Sequence, residues 1–185
     1  SLYAEALNFA SKEARAADCF SRVALHHLVY HQIRERFPDL GAQMACNVIY
    51  SISRFSKIVF KNIDSPFNIS KNPIKKRPLL KFQLNTPVFF DSHTLSIKNN
   101  IFSLFTLEGR AKFRVSLSEE QLNILKTKSI KEILLYSMNG QFVLRFGFLF
   151  VGANKKVVSM DWGDAPSFLV INENGIETPY KISNF

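Results

Sequence analysis

The spacing of apolar residues changes partway along the chain. Up to about residue 60 they recur every three or four positions, as in Val48, Ile52, Phe55 and Val59. That spacing is typical of amphipathic helices. The interruption "FPDLGAQ" contains a proline and a glycine, which end helices. The pattern therefore predicts two helices over residues 1–60 that pack as an antiparallel hairpin.

Residues 61–78 have three prolines, several Asn and Ser, and no sustained period, which predicts a basic linker. From residue 79 to 152, short apolar runs alternate with turn residues, which predicts a mostly antiparallel sheet or barrel. Its expected strands include "KFQL", "PVFFD", "TLSIK", "IFSLFTL" and the two arms of "KEILLYSMNGQFVLRFGFLFV".

Local signals place the turns and one helix within that region. Ser118 and Gln121 have the spacing of a capping box, so a helix is expected at "SEEQLNILK". "KNN" predicts a tight turn at residues 98–100, and Asn139-Gly140 predicts a two-residue hairpin turn. Residues 153–185 add "KVVSM", "SFLVIN" and "IETPYKI" as a separate set of antiparallel strands. The expected fold class is α+β.

The net charge narrows the classes of partner. The 24 Lys and Arg residues exceed the 15 Asp and Glu residues, which gives a formal charge of +9. A strongly basic chain favours a polyanion such as nucleic acid, although a basic protein without such a partner remains an alternative. The longest late apolar stretch is too short to span a bilayer. Two cysteines without a CxxC motif fit a reducing compartment. A cytoplasmic location without a membrane partner is therefore expected.

Polar residues follow one face of the second predicted helix at steps of three and four, and none of them is acidic. A solvated face usually mixes Glu with Lys, whereas a phosphate-binding face avoids carboxylates. The face is thus a candidate nucleic-acid interface, with an ordinary solvated face as the alternative. Its members are Gln43, Asn47, Tyr50, Arg54, Lys57 and Lys61, with a looser counterpart on the first helix in Arg22, Tyr30 and Arg34.

The predicted linker continues the positive charge. The linker and the three residues after it contain five further cations that could contact a phosphate backbone. These are Lys71, Lys75, Lys76, Arg77 and Lys81. The same segment contains a single acid, Asp64.

Asp161 ends the apolar run "VVSM" just before Trp162-Gly163. An Asp before a turn is often only a turn former that hydrogen-bonds the local backbone. The arrangement also matches a two-metal nuclease, in which a carboxylate on the first strand of an antiparallel unit binds Mg²⁺. Two ions need several carboxylates, and the later acids up to residue 185 lie at turns. The catalytic set is therefore incomplete in these residues.

Four segments in series resemble transposon-encoded OrfB proteins, also called TnpB, which are relatives of type V CRISPR effectors. "SRVALHHLVYHQIRERFPDLGAQMACNVIYSISRFSK" resembles their helical recognition segment, and "TPVFFDSHTLSIKNNIFSLFTLEGRAKF" their strand-rich wedge region. "KEILLYSMNGQFVLRFGFLF" is similar to the hairpin before their nuclease domain, and "KKVVSMDWGDAPSFLVINENG" to the opening of that RuvC-like domain. The order of the four pieces agrees, although the family usually has a smaller aliphatic residue at position 162.

The resemblance implies a magnesium-dependent, RNA-guided DNA endonuclease with guide RNA and target DNA as partners. Residues 1–60 would be the recognition region, 61–78 a basic linker, 79–152 a wedge-like domain and 153–185 the start of an RNase H-like (RuvC) domain. Asp161 would be a catalytic, metal-binding carboxylate, and Arg110 would join the nucleic-acid-binding residues. The other two acids and a zinc ribbon would lie beyond residue 185, so this chain would bind nucleic acid without cutting it and would hold no Mg²⁺ alone.

Two alternatives stay open at this stage. The chain could act as a stand-alone nucleic-acid-binding regulator or as a remnant of such a transposon protein. It could also be a protein-interaction domain whose basic charge is incidental. The sequence makes no prediction of oligomeric state.

Overall fold

Helices come first in the chain and antiparallel strands follow. The computed structural model describes residues 1–71, 76–98, 100–138, 140–148, 168–171 and 175–180. Within these ranges lie four α-helices and nine strands, and the strands form three separate three-stranded antiparallel sheets. The described residues divide into two compact units, one formed by residues 1–86 and the strands that begin at residue 168, the other beginning at Pro87. The architecture is α+β, as predicted.

The first sixty residues form three helices rather than the predicted two: α1 (Leu2–Ala16), α2 (Arg22–Arg36) and α3 (Ala42–Lys61). The missed break lies between α1 and α2. Asp18 has a φ of 48°, which ends the regular helix, and the Ser21 side chain accepts a hydrogen bond from the Ala24 amide to begin the next. The helical spacing of apolar residues continues across the break, so periodicity alone could not find it.

The break predicted between α2 and α3 is confirmed. A short 3₁₀ turn, Pro38–Leu40, follows α2, and Gly41 has a φ of 71° before α3 begins. The proline fixes the turn and the glycine accepts the left-handed conformation at no steric cost. α2 and α3 pack against each other as expected of a hairpin.

The core of the first unit is formed where α1, α2 and α3 meet. α1 contributes small residues, which let its backbone approach the other helices closely, while α2 and α3 contribute larger aliphatic side chains and Phe55. The side chains with essentially no exposure include Ala6, Leu7, Ala10, Leu25, Val29, Ile33, Val48, Ile52 and Phe55.

A small sheet joins this helical core. β1 (Leu79–Lys81) pairs antiparallel with β8 (Phe168–Ile171), which pairs on its other side with β9 (Glu177–Tyr180). Leu80 and Val170 are cross-strand partners, and both are fully buried. The sequence placed residue 79 at the start of a strand-rich domain, but β1 belongs with the helices. Strand pairing between positions so far apart leaves no local sequence signal.

The side chain of Asn8 connects α1 to the chain just after β1. Asn8 Nδ2 donates to the Phe82 carbonyl (2.9 Å), and the Phe82 amide donates to Asn8 Oδ1 (2.8 Å). Ser11, one turn later, donates to the Leu80 carbonyl (2.6 Å). The two polar side chains of α1 thus satisfy backbone groups at the end of the sheet.

We expect Asn8→Ala to lower the free energy of unfolding by about 2 kcal/mol, because it removes two part-buried hydrogen bonds to the backbone of Phe82. Urea denaturation measures the change. Gln32→Ala, a polar-to-alanine change on the exposed side of α2, serves as the control and should cost much less. Equal stabilities for the two variants would show that the Asn8 contacts contribute nothing.

The second unit contains two of the three sheets. Its elements are β2 (Val88–Phe90), β3 (Leu95–Lys98), β4 (Ile101–Thr106), β5 (Gly109–Arg114), α4 (Glu119–Thr127), β6 (Ile130–Met138) and β7 (Gln141–Phe148). The strand orders of the two sheets are β2-β6-β7 and β3-β4-β5, all antiparallel.

The local predictions in this unit are confirmed, and one further strand, β5, was not predicted. Ser118 and the Gln121 side chain form the expected capping box at the start of α4. Lys98 pairs with Ile101 across a turn in which Asn100 has a φ of 61°, and Gly140 has a φ of 76° in the turn between β6 and β7. β5 was not predicted, because "GRAKFR" alternates charged residues with small or apolar ones and has no continuous apolar run.

The strand expected at residues 156–160 and Asp161 lie outside the described residues. The strands expected on both sides of residues 174–175 are present as β8 and β9, with a φ of 79° at Gly175. Among the described helices, none combines the length and the apolar character needed to cross a membrane.

Candidate nucleic-acid interface

The face predicted on α3 becomes more exposed along the helix. Asn47 is buried, Gln43, Tyr50 and Arg54 are half-buried, and only Lys57 and Lys61 are exposed. The six residues therefore do not form one continuous exposed surface. Spacing places the six residues on one side of the helix, but neighbouring elements cover the first part of that side.

Part of the cover comes from α2, which directs its own predicted residues at α3. The Arg22 guanidinium carbon lies 5.2 Å from the centroid of the Tyr50 ring. His26 Nε2 lies 4.0 Å from Cys46 Sγ, and its ring stacks on Tyr30 at 4.6 Å. Arg22 of the face predicted on α2 thus contacts Tyr50 of the face predicted on α3, and Tyr30 is half-buried beside His26.

Arg34 is the last member of the face predicted on α2. Its side chain is half-buried, and its Nη1 atom is buried without a hydrogen bond to any described residue. Arg34 is therefore partly withdrawn from solvent rather than displayed like Lys57 and Lys61.

The exposed end of α3 contributes to a basic cleft of about 450 Å³. Two aromatic rings help to form the cleft: Phe20 and Phe60 meet edge to face at 5.3 Å. One acid, Asp18, also lines it, at 3.3 Å from an Arg77 guanidinium nitrogen. The basic residues that line it are Arg22, Lys57, Lys61 and Arg77. We call this group the basic cleft.

Arg77 is held by several contacts within the basic cleft. Besides the ion pair with Asp18, its guanidinium carbon lies 5.1 Å from the centroid of the Phe20 ring. Arg15 Nε donates a hydrogen bond to the backbone carbonyl of Arg77 (3.1 Å). Cation–π and ion-pair contacts fix the guanidinium in place. Asp18 is the only acid among the described residues that line the cleft, and Arg77 pairs with it, so no described acid there compensates the charges of Arg22, Lys57 and Lys61.

Part of the predicted linker is a structured loop. The Ile69 amide donates to the Phe60 carbonyl (3.0 Å), and Asn68 Nδ2 donates to the Asn62 carbonyl (2.8 Å). Asn68 Oδ1 in turn accepts from the amides of Ser70 and Lys71. Residues 62–71 therefore fold back on the last turn of α3, where carbonyl groups would otherwise lack partners.

The basic residues of that segment have different surroundings. Lys71 and Lys76 are exposed, and Lys75 lies outside the described residues. Lys81, on β1, makes an ion pair with Glu177 of β9 at 2.7 Å. Exposed pairs of this kind contribute little stability, but the pair does offset the charge of Lys81.

Arg110 lies in the second unit, on β5. Its guanidinium donates to Ser103 and Ser96 side chains, to the Ser103 carbonyl and to the His93 carbonyl. The sequence found Arg110 only through the family resemblance. It missed three neighbouring cations on the same sheet, Lys98, Lys112 and Arg114, which the alternating pattern of "GRAKFR" could have revealed.

The predicted metal ligand Asp161 lies outside the described residues. Elsewhere in the described ranges, no three His, Cys, Asp or Glu side chains come together in a way that could hold a metal ion. The role of Asp161 and the expected Mg²⁺ therefore remain predictions from the sequence.

Comparison with known proteins adds no assignment. No protein-family model matches the sequence, and no curated protein is significantly similar to it. The resemblance to OrfB proteins therefore stays a prediction carried by the order of its four segments.

Proposed function

We propose that this chain is the nucleic-acid-binding amino-terminal portion of a transposon-encoded, RNA-guided DNA endonuclease of the OrfB type. Its partners would be guide RNA and target DNA. The three helices would be the recognition region, the second unit the wedge-like domain, and residues 153–185 the opening of an RNase H-like domain. The order of the four sequence segments supports these assignments.

The observation that carries the proposal is the basic cleft. It gathers Arg22, Lys57 and Lys61 around a concave surface, and the one acid among its described lining residues pairs with Arg77. α3 itself contains no Asp or Glu over its whole length. A concave surface of one charge sign concentrates oppositely charged ligands, and nucleic acid supplies a phosphate at every nucleotide.

Such a surface grips nucleic acid without reading its sequence. Contacts to phosphates fix the position and orientation of the bound strand, while base contacts carry specificity. In an RNA-guided protein, base pairing between guide and target supplies that specificity. A basic cleft that holds phosphates suits this division of labour.

Cutting is not assigned to these residues alone. Asp161 is the single match to the catalytic motif, and a two-metal site needs several carboxylates to hold two Mg²⁺ ions. In the complete nuclease Asp161 would be one ligand of that site, with Mg²⁺ bound only when the other acids are supplied.

Reversing the two exposed lysines of the cleft tests the proposal. In Lys57→Glu/Lys61→Glu we expect affinity for RNA and for DNA to fall by about tenfold or more at low salt. The slope of log affinity against log salt should fall by about 1.4 for single strands and about 1.8 for duplexes, because two phosphate contacts are lost. Fluorescence anisotropy over a salt series measures both quantities.

Lys12→Glu/Lys126→Glu is the matched control. Both of its lysines are exposed, lie outside the cleft, and undergo the same change of charge. It should keep most of the affinity and the salt slope. If both double variants lose affinity equally, net charge rather than the cleft is responsible. If the unaltered chain binds no nucleic acid even at low salt, a protein-interaction domain with incidental charge is the better account.

A further inference from the structure

The sheet β3-β4-β5 has two faces of opposite character. Its strand register places Leu95, Leu104 and Ala111 in one row and Ile97, Phe102 and Phe113 in the next, on the same side. Leu95, Phe102 and Leu104 are buried there. Successive side chains alternate between faces, so the residues between these rows lie on the other side.

That other side, which we call the cationic sheet face, carries basic side chains at every level. Lys112 lies opposite Ser103, Arg110 opposite Phe105, and Arg114 opposite Ile101. The three strands contain no Asp or Glu. The members of the face are Ser96, Lys98, Ile101, Ser103, Phe105, Arg110, Lys112 and Arg114.

The positive charge of this face is not offset within the described part of the chain. Lys98, Lys112 and Arg114 are exposed and make no ion pair with a described residue. Arg110 bonds only hydroxyl and carbonyl oxygens, which hold the guanidinium in place without neutralising it. A fixed guanidinium loses little further entropy when it binds a phosphate.

The positions on β5 form a regular row. Arg110, Lys112 and Arg114 are two residues apart, so their Cα atoms are spaced by roughly 6.6 Å along the strand. Ser96 and Ser103 have small side chains, so the middle of the face is not covered by bulky groups. Phe105, half-buried, lies directly opposite Arg110 and offers an aromatic surface beside the row.

Protection of sheet edges is the competing explanation, because β3 and β5 are the outer strands of this sheet among the described strands. Charged residues on an edge prevent pairing with another chain. Charges of either sign prevent such pairing. A mixture of acidic and basic side chains would also avoid repulsion between neighbouring charges on one face. Edge protection therefore accounts for charge on these strands but not for four cations and no acid on one face.

We propose that the cationic sheet face binds a single-stranded segment of nucleic acid, with phosphates along the β5 row and a base against Phe105. The inference rests on the proposed function and adds to it a second surface in the second unit, specific for unpaired strands. Stacking on an aromatic ring requires a base that is free of its helix, whereas cations alone would accept duplex equally.

The test uses the full chain and two variants of this face. In Lys98→Gln/Lys112→Gln/Arg114→Gln we expect affinity for a single-stranded oligonucleotide to fall by about tenfold or more, and the salt slope by about 2. In Phe105→Leu, which keeps an apolar side chain at the site, we expect about a fivefold loss for single strands and none for duplex of the same length.

Lys12→Gln/Lys126→Gln/Lys128→Gln is the matched control, because it removes the same charge from exposed positions elsewhere. It should retain single-strand affinity. Far-UV circular dichroism confirms that each variant is folded, and Phe105→Leu gives an independent reading if the triple variant is not.

Several results would overturn the inference. The inference fails if the triple variant binds single strands with unchanged affinity. If that variant also begins to self-associate, the charges on these strands serve edge protection instead. A loss of binding to anionic lipid vesicles that exceeds the loss for oligonucleotides would assign the face to a membrane surface. If the sheet variants bind normally while Lys57→Glu/Lys61→Glu does not, the proposed function stands and this inference fails. If the unaltered chain shows no salt-dependent binding of nucleic acid, both the proposed function and this inference are wrong.

Discussion

Phe55→Ala is expected to lower the free energy of unfolding of the first unit by about 3 to 5 kcal/mol. Phe55 lies on α3, is 1% exposed, and its ring centroid is 5.3 Å from that of Phe82 after β1. Truncation leaves a cavity between a helix and the end of a sheet, where the surrounding helices cannot collapse freely. A loss of this size is a large part of the stability of a typical domain.

Urea denaturation followed by far-UV circular dichroism measures this change, since three of the four described helices belong to the first unit. Val23→Ala is the control. Val23 is 71% exposed on α2, so this substitution removes apolar atoms from the solvent-exposed surface only. A denaturation midpoint for Phe55→Ala equal to that of the control would contradict the buried position of the ring.

Val170→Asp is expected to unfold the first unit or to leave it without stable tertiary structure. Val170 is fully buried on β8 and lies opposite Leu80 of β1. A carboxylate there would be buried without a partner, which costs several kcal/mol. The second unit does not include β8, so its strands should keep their structure.

Hydrogen exchange distinguishes these outcomes unit by unit. In Val170→Asp the amides of α1 and α3 should lose protection while those of β6 and β7 retain it. Ile176→Asp makes the same kind of change at a position that is 59% exposed, just before β9, and should leave both patterns intact. Full protection of α1 and α3 in Val170→Asp would show that β8 does not complete the core of the first unit.

Short-range features of this fold were predictable because their causes are local. A capping box needs only Ser118 and Gln121, three positions apart, and a hairpin turn needs only a residue that tolerates positive φ, such as Gly140. The same holds for Pro38 and Gly41 between α2 and α3. Each of these signals lies within a few residues of the structure that it determines.

Other features depend on distant partners or on orientation. β1 is a strand because β8 pairs with it, and nothing near residue 79 indicates that pairing. The break at Asp18 is hidden because apolar spacing continues on both sides of it. β5 is half charged, since only one of its faces meets apolar residues, and it therefore lacks the apolar run that marks most strands.

The candidate interface shows a similar division. Helical spacing identified the side of α3 that holds Asn47, Tyr50 and Lys57, but it could not show that neighbouring elements, α2 among them, cover the first part of that side. It also could not bring Arg77 to the cleft, because that contact follows from the path of the chain after α3. Acid content was the more useful signal for α3, and the strands of the cationic sheet face, a surface that was not predicted from the sequence, also lack Asp and Glu.

The pairing of β1 with β8 has a consequence for the order of events during synthesis. Domains generally begin to fold as the chain leaves the ribosome, amino-terminal parts first. Here the three helices and β1 emerge early, yet Leu79 pairs with Ile171, which is made only after every strand of the second unit. Two described strands of the unit that is first in the sequence, β8 and β9, are therefore the last to be made, and a nascent chain halted before residue 168 would contain every described strand of the second unit but only β1 of the sheet that joins the helices.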